Sequence, residues 1–302
     1  AIRLTNEDGA PPIFPMLFVT IACGAISGFH GLVSSGTTSK QVNKLKDARM
    51  IGYGGMIGEG ILALASTIAA VAGIALVNEC HIPSIGSVEN LNWAVYYDSW
   101  ASATKNKATA FVLGGGALIE QLGINHNIAK TLMAVLVISF AATTLDTATR
   151  IQRFIISEIG DATKIEILKN RFLATFIAVI PAIILSLWSI NDPATGELKK
   201  IGWLLWPIFG ASNQMLAALI LLVLTIYFYK KGKNVLILFI PMIFVISIAM
   251  ISLFFKTQDF YYQNNIFLLT INSLLLVLII WMLVEGLLVF KKIKKSINKK
   301  RI

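Results

Sequence analysis

Seven stretches of this chain are apolar over lengths close to the thickness of a bilayer's hydrocarbon core, and no other feature limits the fold as much. They run over about residues 13–35, 51–77, 127–148, 172–190, 203–229, 235–255 and 266–290. A helix needs roughly 20 such residues to cross about 30 Å of hydrocarbon. Only 14% of the chain is charged, against 56% hydrophobic, whereas soluble domains carry roughly 25% charged residues. The sequence therefore predicts an all-α membrane protein with about seven transmembrane helices, forming a single transmembrane domain over 1–302 with no soluble domain attached.

The basic residues orient these spans. If the chain begins outside, segments 39–50, 149–171, 230–234 and 291–302 lie inside, and they hold 4, 5, 3 and 7 of the 26 Lys and Arg residues. That bias predicts an outer N-terminus and a cytoplasmic C-terminus. It also explains the net charge of +10 without nucleic acid. The tail from Lys291 to Arg301 is suited to topology and to contact with anionic lipid. Residues 108–124 are apolar but short and rich in glycine. Crossing the membrane there would place the basic segment 149–171 outside. This segment is therefore expected to be a re-entrant or interfacial helix within an outer loop, 78–126, that carries Glu79, Glu89, Asp98 and Glu120.

Catalytic signatures are absent. The sequence contains no HExxH, no GxxxxGK[ST] and no GxSxG, which removes the usual grounds for a membrane protease or an ATP-driven pump. Cys23 and Cys80 form no CxxC, and His81 and His126 lack metal-ligand spacing. No metal and no cofactor are expected. The chain opens on Ala1 with a span almost at once and no leader, and is read as a truncation or partial product.

Candidate functional residues concentrate in the first span, IFPMLFVTIACGAISGFHGLVSSGTTSKQ. Gly24, Gly28, Gly31 and Gly36 interrupt it, and Ser27, His30, Ser34, Ser35, Thr37 and Thr38 crowd it. Small residues free backbone groups, which a bilayer tolerates only against protein or a water-filled cavity. Broken helices of this kind build transporter sites near the midplane. Close helix packing through GxxxG, as at Gly24 and Gly28, is the plainer reading. With His30 in the same turn, the expectation is a break, with Ser27, Gly28, Phe29 and His30 contacting substrate. His30 is also a candidate for proton coupling, although a neutral histidine bonded to a freed carbonyl would look the same in sequence.

Other polar residues fall inside the later spans. Glu59 lies about 12 Å into the second span at ~1.5 Å per residue, as a candidate proton carrier or cation ligand, or as a protonated Glu bonded to a neighbouring helix. Ser139 and Thr143 share one helical face, and Thr144 and Thr147 an adjacent one. Their hydroxyls suit Na⁺, or they bond back to their own helix. Asp146 and Arg150 are spaced for a local ion pair. The fifth span places Asn213 and Gln214 in the apolar zone, lining a pathway or cross-linking helices, below an interfacial Trp203–Trp206 pair and a kink expected at Pro207 and Gly210. Glu285 is expected to snorkel to the inner surface or to pair with lysine.

Four stretches resemble the CstA carbon-starvation family: ACGAISGFHGLVSSGTTSKQ (22–41), DARMIGYGGMIGEG (47–60), SFAATTLDTATR (139–150) and WPIFGASNQMLAAL (206–219). The family is similar to the amino acid–polyamine–organocation superfamily, and its members are linked to uptake of peptides or, in some relatives, pyruvate. The resemblance implies that an N-terminal half is missing here. It also implies the second half of a LeuT-type inverted-repeat fold, an order matching the charge-derived topology. Fold alone does not give function. The expectation is a symporter for peptides or small carboxylates such as pyruvate, driven by H⁺ or Na⁺. Its partners would be a small-molecule substrate, the lipid bilayer and the missing half. The rival readings are a starvation sensor without net transport and a membrane-embedded enzyme, which would need a catalytic cluster.

Overall fold

The computed structural model describes residues 13–77, 79–82, 86–89, 91, 93–97, 107–191 and 198–299. Asp98 and the end of the basic tail, 300–302, lie outside them. The chain is an all-α membrane protein, and its described residues form nine principal helices and two short hairpins. After a short segment, Ile13–Leu17, in which Phe14 is extended (φ −119°, ψ 130°), come α1 (Phe18–Ala25), α2 (Gly28–Val33) and α3 (Asp47–Val71). Strands β1 (Glu79–Ile82) and β2 (Gly86–Glu89) pair antiparallel. Helices α4 (Lys107–Glu120), α5 (His126–Thr163) and α6 (Arg171–Leu187) follow. A second hairpin pairs β3 (Ser189–Asn191) with β4 (Leu198–Lys200). The chain continues through α7 (Trp206–Lys230), α8 (Leu236–Tyr262) and α9 (Ile266–Lys299).

Six segments are long and apolar enough to cross a membrane, and they coincide with six of the seven expected spans. The seventh, at α6, has 17 residues, the lower end of the spanning range. Its start is well defined, because Asn170 Oδ1 accepts from the Phe172 and Leu173 N–H groups at 2.9 and 3.3 Å, an N-cap. Helix α5 continues past residue 148 to Thr163, so much of the basic segment after it is helical. The kink expected at Pro207 is a helix start instead. Helix α7 begins at Trp206 after a short turn, Ile201–Leu204. The missing proline N–H thus falls in the first turn, where no intrahelical partner exists for it.

The described residues divide into two compact units, one within 40–148 and the other formed by 13–39 with residues after 148. In the first unit, the glycine run of α4 explains how a short helix is held. A Cβ on Gly114 would overlap the Ala69 carbonyl, and one on Gly73 would overlap Gly114 itself. A Cβ on Gly115 would overlap the Met133 methyl, and one on Gly116 would crowd Lys130 at 3.3 Å. Three consecutive glycines therefore seat α4 against the end of α3 on one side and against α5 on the other. Beside them, Ile74, Val77, Leu91, Tyr96, Ala110, Leu113 and Ala117 form a buried cluster, and the Tyr97 hydroxyl donates to the Ala70 carbonyl at 2.8 Å. At the end of α4, Glu120 Oε2 lies 2.8 Å from His126 Nδ1.

The second unit is centred on α7. Ala217, Ala218 and Leu222 pack with Met242, Val245, Ile246 and Ala249 of α8 and Ile279 of α9. A neighbouring cluster joins Val19 of α1 to Ala211, Ile248 and Leu253. Helix α2 lies directly on α7. A Cβ on Gly28 would overlap Leu216 Cβ and the Asn213 carbonyl, and one on Gly31 would overlap Ile220 Cδ1. Gly24 has nothing within 4 Å of that position. The close-packing glycines are therefore 28 and 31, not the Gly24–Gly28 pair.

Candidate functional site

The first span is broken. Helix α1 stops at Ala25, and Ile26 (φ −129°, ψ 77°) and Ser27 (φ −94°, ψ 124°) leave the helical region before α2 restarts at Gly28. A restart strips the first N–H groups of the new helix of their carbonyl partners. One of them is satisfied from α7. The Phe29 N–H donates to Asn213 Oδ1 at 2.9 Å. The other end of the same amide donates from Nδ2 to Cys23 Sγ at 2.8 Å and to Ser27 Oγ at 3.1 Å. Asn213, only 4% exposed, thereby ties both sides of the break to one helix.

The Ser27 hydroxyl also lies 3.4 Å from Asn213 Oδ1. A serine hydroxyl has one proton and two lone pairs. Acceptance from Nδ2 is the shorter contact, which leaves the Ser27 proton only a long bond to Oδ1 and ready for a better acceptor. Around the break, Gly28 is buried, Ser27 and Phe29 are half-buried, and His30 is exposed. The Phe29 and His30 rings stand 6.2 Å apart. Beyond them the helix widens into a π-helical stretch, Ser34–Thr38, an irregularity frequent at functional sites.

The structure thus joins four residues of the predicted substrate set, Ser27, Gly28, Phe29 and Asn213, at one place, with His30 next in the chain. Gln214 is buried, and its Nε2 has no hydrogen-bond partner among the described residues. Most of the other hydroxyls crowding the first span are turned onto their own helix. Ser34 and Ser35 donate to Gly31 O, Thr37 to Val33 O, and Ser39 to Ser35 O. Cys23 is the partner that sequence reasoning missed, although its i,i+4 spacing from Ser27 put both on one face.

The predicted coupling residues other than His30 belong to the other unit. Glu59 sits midway along α3 on an exposed face, and Ser139, Thr143 and Thr144 are exposed on α5. Thr143 Oγ1 donates to Phe140 O at 3.0 Å, and Thr147 Oγ1 to Thr143 O at 3.0 Å, so these hydroxyls bond back to the helix while their remaining lone pairs stay open. Among the described residues no group of three or more His, Cys, Asp or Glu side chains could hold a metal ion.

Comparison with known proteins adds a second line. The family model described as "Carbon starvation protein CstA" matches residues 3–252. A protein of Helicobacter pylori named "Peptide transporter CstA" is 32% identical over 282 residues, covering 81% of this chain and 40% of that protein. A "Peptide transporter CstA" of Mycobacterium tuberculosis is 31% identical over 260 residues, 74% of this chain and 34% of that protein. "Pyruvate/proton symporter BtsT" of Escherichia coli is 30% identical over 285 residues, 75% and 39% respectively. The chain therefore spans about 40% of the length of the first of these relatives. No solved structure matches.

Proposed function

The chain belongs to the carbon starvation protein CstA family, and from that premise we propose that it forms part of a secondary active symporter. Its substrates are peptides or small carboxylates such as pyruvate, taken up by alternating access with H⁺ or Na⁺ as the coupling ion. It lies in the bacterial inner membrane with a cytoplasmic C-terminus, and its helix order is that of the second half of a LeuT-type transporter. The names of the relatives support both substrate classes, and one of them supports the proton. All are named as transporters rather than enzymes.

The observation that carries this reading is the break at Ile26–Ser27 held open by Asn213. The helix restarting at Gly28 continues helically to Gln41. Its start presents backbone N–H groups and the positive end of the helix dipole, both suited to an anionic group. Pyruvate and the C-terminus of a peptide each supply a carboxylate. In this reading the Ser27 hydroxyl and His30 complete the contact.

Uptake of labelled pyruvate and of a labelled dipeptide into proteoliposomes tests this, using the full-length product of the gene under imposed proton or sodium gradients. Gradient-driven accumulation of either compound supports the symporter and names substrate and ion together. Folded protein that accumulates neither under any gradient refutes these substrates and favours a sensor.

A further inference from the structure

Helices α7 and α9 run side by side in one direction. Ile279 of α9 packs with Ala218 and Leu222 of α7, and a Cβ on Gly286 would crowd Leu222 Cδ2 at 2.9 Å. Further along the pair, the Tyr229 and Phe290 rings stand 5.3 Å apart. Between the two helices lies a groove of about 310 Å³, walled by Leu222 and Ile226 on one side and by Met282, Gly286 and Val289 on the other. It reaches from Leu278 to Val289, about 16 Å of α9 at 1.5 Å per residue. That is one leaflet's share of a hydrocarbon core about 30 Å thick.

The groove opens onto lysines. On α7 the residue that follows Leu222 and Ile226 on the same helical stripe is Lys230, and on α9 the stripe of Glu285 and Val289 continues to Lys292. Both lysines are exposed, with no ion-pair partner among the described residues. Lys231 and Lys291 adjoin them, and residues 226–235 and 286–299 contain no Asp or Glu. The contact of Tyr229 with Phe290 brings the two basic stretches to the same end of the helix pair. Glu285 is the one charged residue in the groove wall. It precedes Lys292 by two turns, about 10 Å, and so lies along the apolar part, away from the basic mouth.

An apolar slot one leaflet long that ends in positive charge fits a molecule with a hydrocarbon chain at one end and an anionic group at the other. A free anion has no use for the slot, and an apolar helix has none for the lysines. We propose that α7 and α9 bind an anionic phospholipid, with an acyl chain in the groove and the headgroup against Lys230 and Lys292. In the orientation proposed above this is the cytoplasmic leaflet, whose anionic lipids attract basic segments beside a span. The leaflet rests on that orientation, and the site does not. Bound there, the lipid braces α9 against α7, the helix that carries Asn213.

Native mass spectrometry of the full-length gene product in detergent, titrated with dioleoylphosphatidylglycerol or dioleoylphosphatidylcholine, tests the site. The anionic lipid should be held several-fold more tightly and should raise Tm. Lys230→Gln and Lys292→Gln should each weaken its binding about fivefold, the effect of one lysine near a membrane surface. Val289→Trp fills the groove from an exposed position and keeps every lysine, and it should weaken binding comparably. Unchanged binding in Val289→Trp would reduce the effect to surface charge and overturn the proposal. Equal retention of the two lipids would do the same, as would displacement of the lipid by inorganic phosphate. Should a variant fail to fold, a cryo-EM map of the wild type in phosphatidylglycerol nanodiscs decides. Chain density in the groove with its head at the two lysines supports the site. An empty groove, or one filled by a helix of the full-length protein, overturns it.

Discussion

The backbone N–H of Phe29 donates to Asn213 Oδ1 at 2.9 Å, joining residues 184 positions apart across the start of a restarted helix. One side-chain amide does what the next turn of an unbroken helix would otherwise do. It accepts from the backbone beyond the break and donates to Cys23 before it. In a bilayer the alternative is an orphaned N–H, at several kcal/mol.

Asn213→Ala should therefore lower uptake at least tenfold, equivalent to about 1.4 kcal/mol, and lower Tm. Asn213→Asp keeps the acceptor for Phe29 but loses the donors to Cys23 and Ser27, and should fall between. The uptake rate at saturating substrate and the melting curve, taken together, check this. Full activity in Asn213→Ala would mean that the break is held by something else.

The glycines of the first span should separate cleanly. Gly28→Ala drives a methyl group into Leu216 and the Asn213 carbonyl, an overpacking worth about 1–3 kcal/mol. Gly24→Ala meets nothing within 4 Å and should be neutral or stabilising by up to ~1 kcal/mol, since glycine is a poor helix former. Thermal unfolding of the two variants side by side measures the contrast. Equal melting temperatures would contradict the packing of α2 on α7.

The spans were legible because hydrophobic length is a local signal. The restart at Gly28 was also foreshadowed, since Gly, Ser and His within one turn favour interruption over propagation. Which glycines pack was not legible. Gly24, Gly28 and Gly31 look alike in sequence, and only the arrival of α7 separates them. Asn213 and Gln214 pose the same difficulty. Adjacent amides point about 100° apart on a helix, and which of them meets the break depends on the rotation of α7, which is set by its packing against α8. The glycine run at 114–116 announced a short, unusual helix but not its neighbours Ala69, Lys130 and Met133.

Tyr97 gives a pH-dependent prediction outside the spans. Burial pushes its phenol above the ordinary tyrosine value, while its hydroxyl donates to the Ala70 carbonyl. The folded state therefore holds this proton longer than the unfolded chain does. Its contribution to stability is fully present below the unfolded pKa of 10.0 and is lost as pH rises through the higher folded value. The phenolate absorbance of wild type minus Tyr97→Phe should show one late-titrating tyrosine. Titration of that difference at the ordinary value would count against the contact.

Coupling is best probed at Glu59, twelve residues from either end of α3 and thus about 18 Å along the helix from each. On the proposed reading, a carboxyl at that depth carries a proton or holds a cation. With H⁺ as the coupling ion, Glu59→Gln should abolish accumulation driven by an imposed pH gradient. Exchange of labelled for unlabelled substrate, which needs no net proton movement, should survive. With Na⁺ as the coupling ion, Ser139→Ala and Thr143→Val should instead raise the sodium concentration needed for half-maximal uptake. Thr143 spends its proton on Phe140 O, and its oxygen keeps lone pairs for a cation. His30→Ala, measured beside them, separates a coupling role from a substrate contact: the former loses the gradient response at unchanged apparent substrate affinity, and the latter weakens affinity while the response persists. Wild-type behaviour in all four variants would leave the break at Ser27 as the transport site and move coupling to other residues.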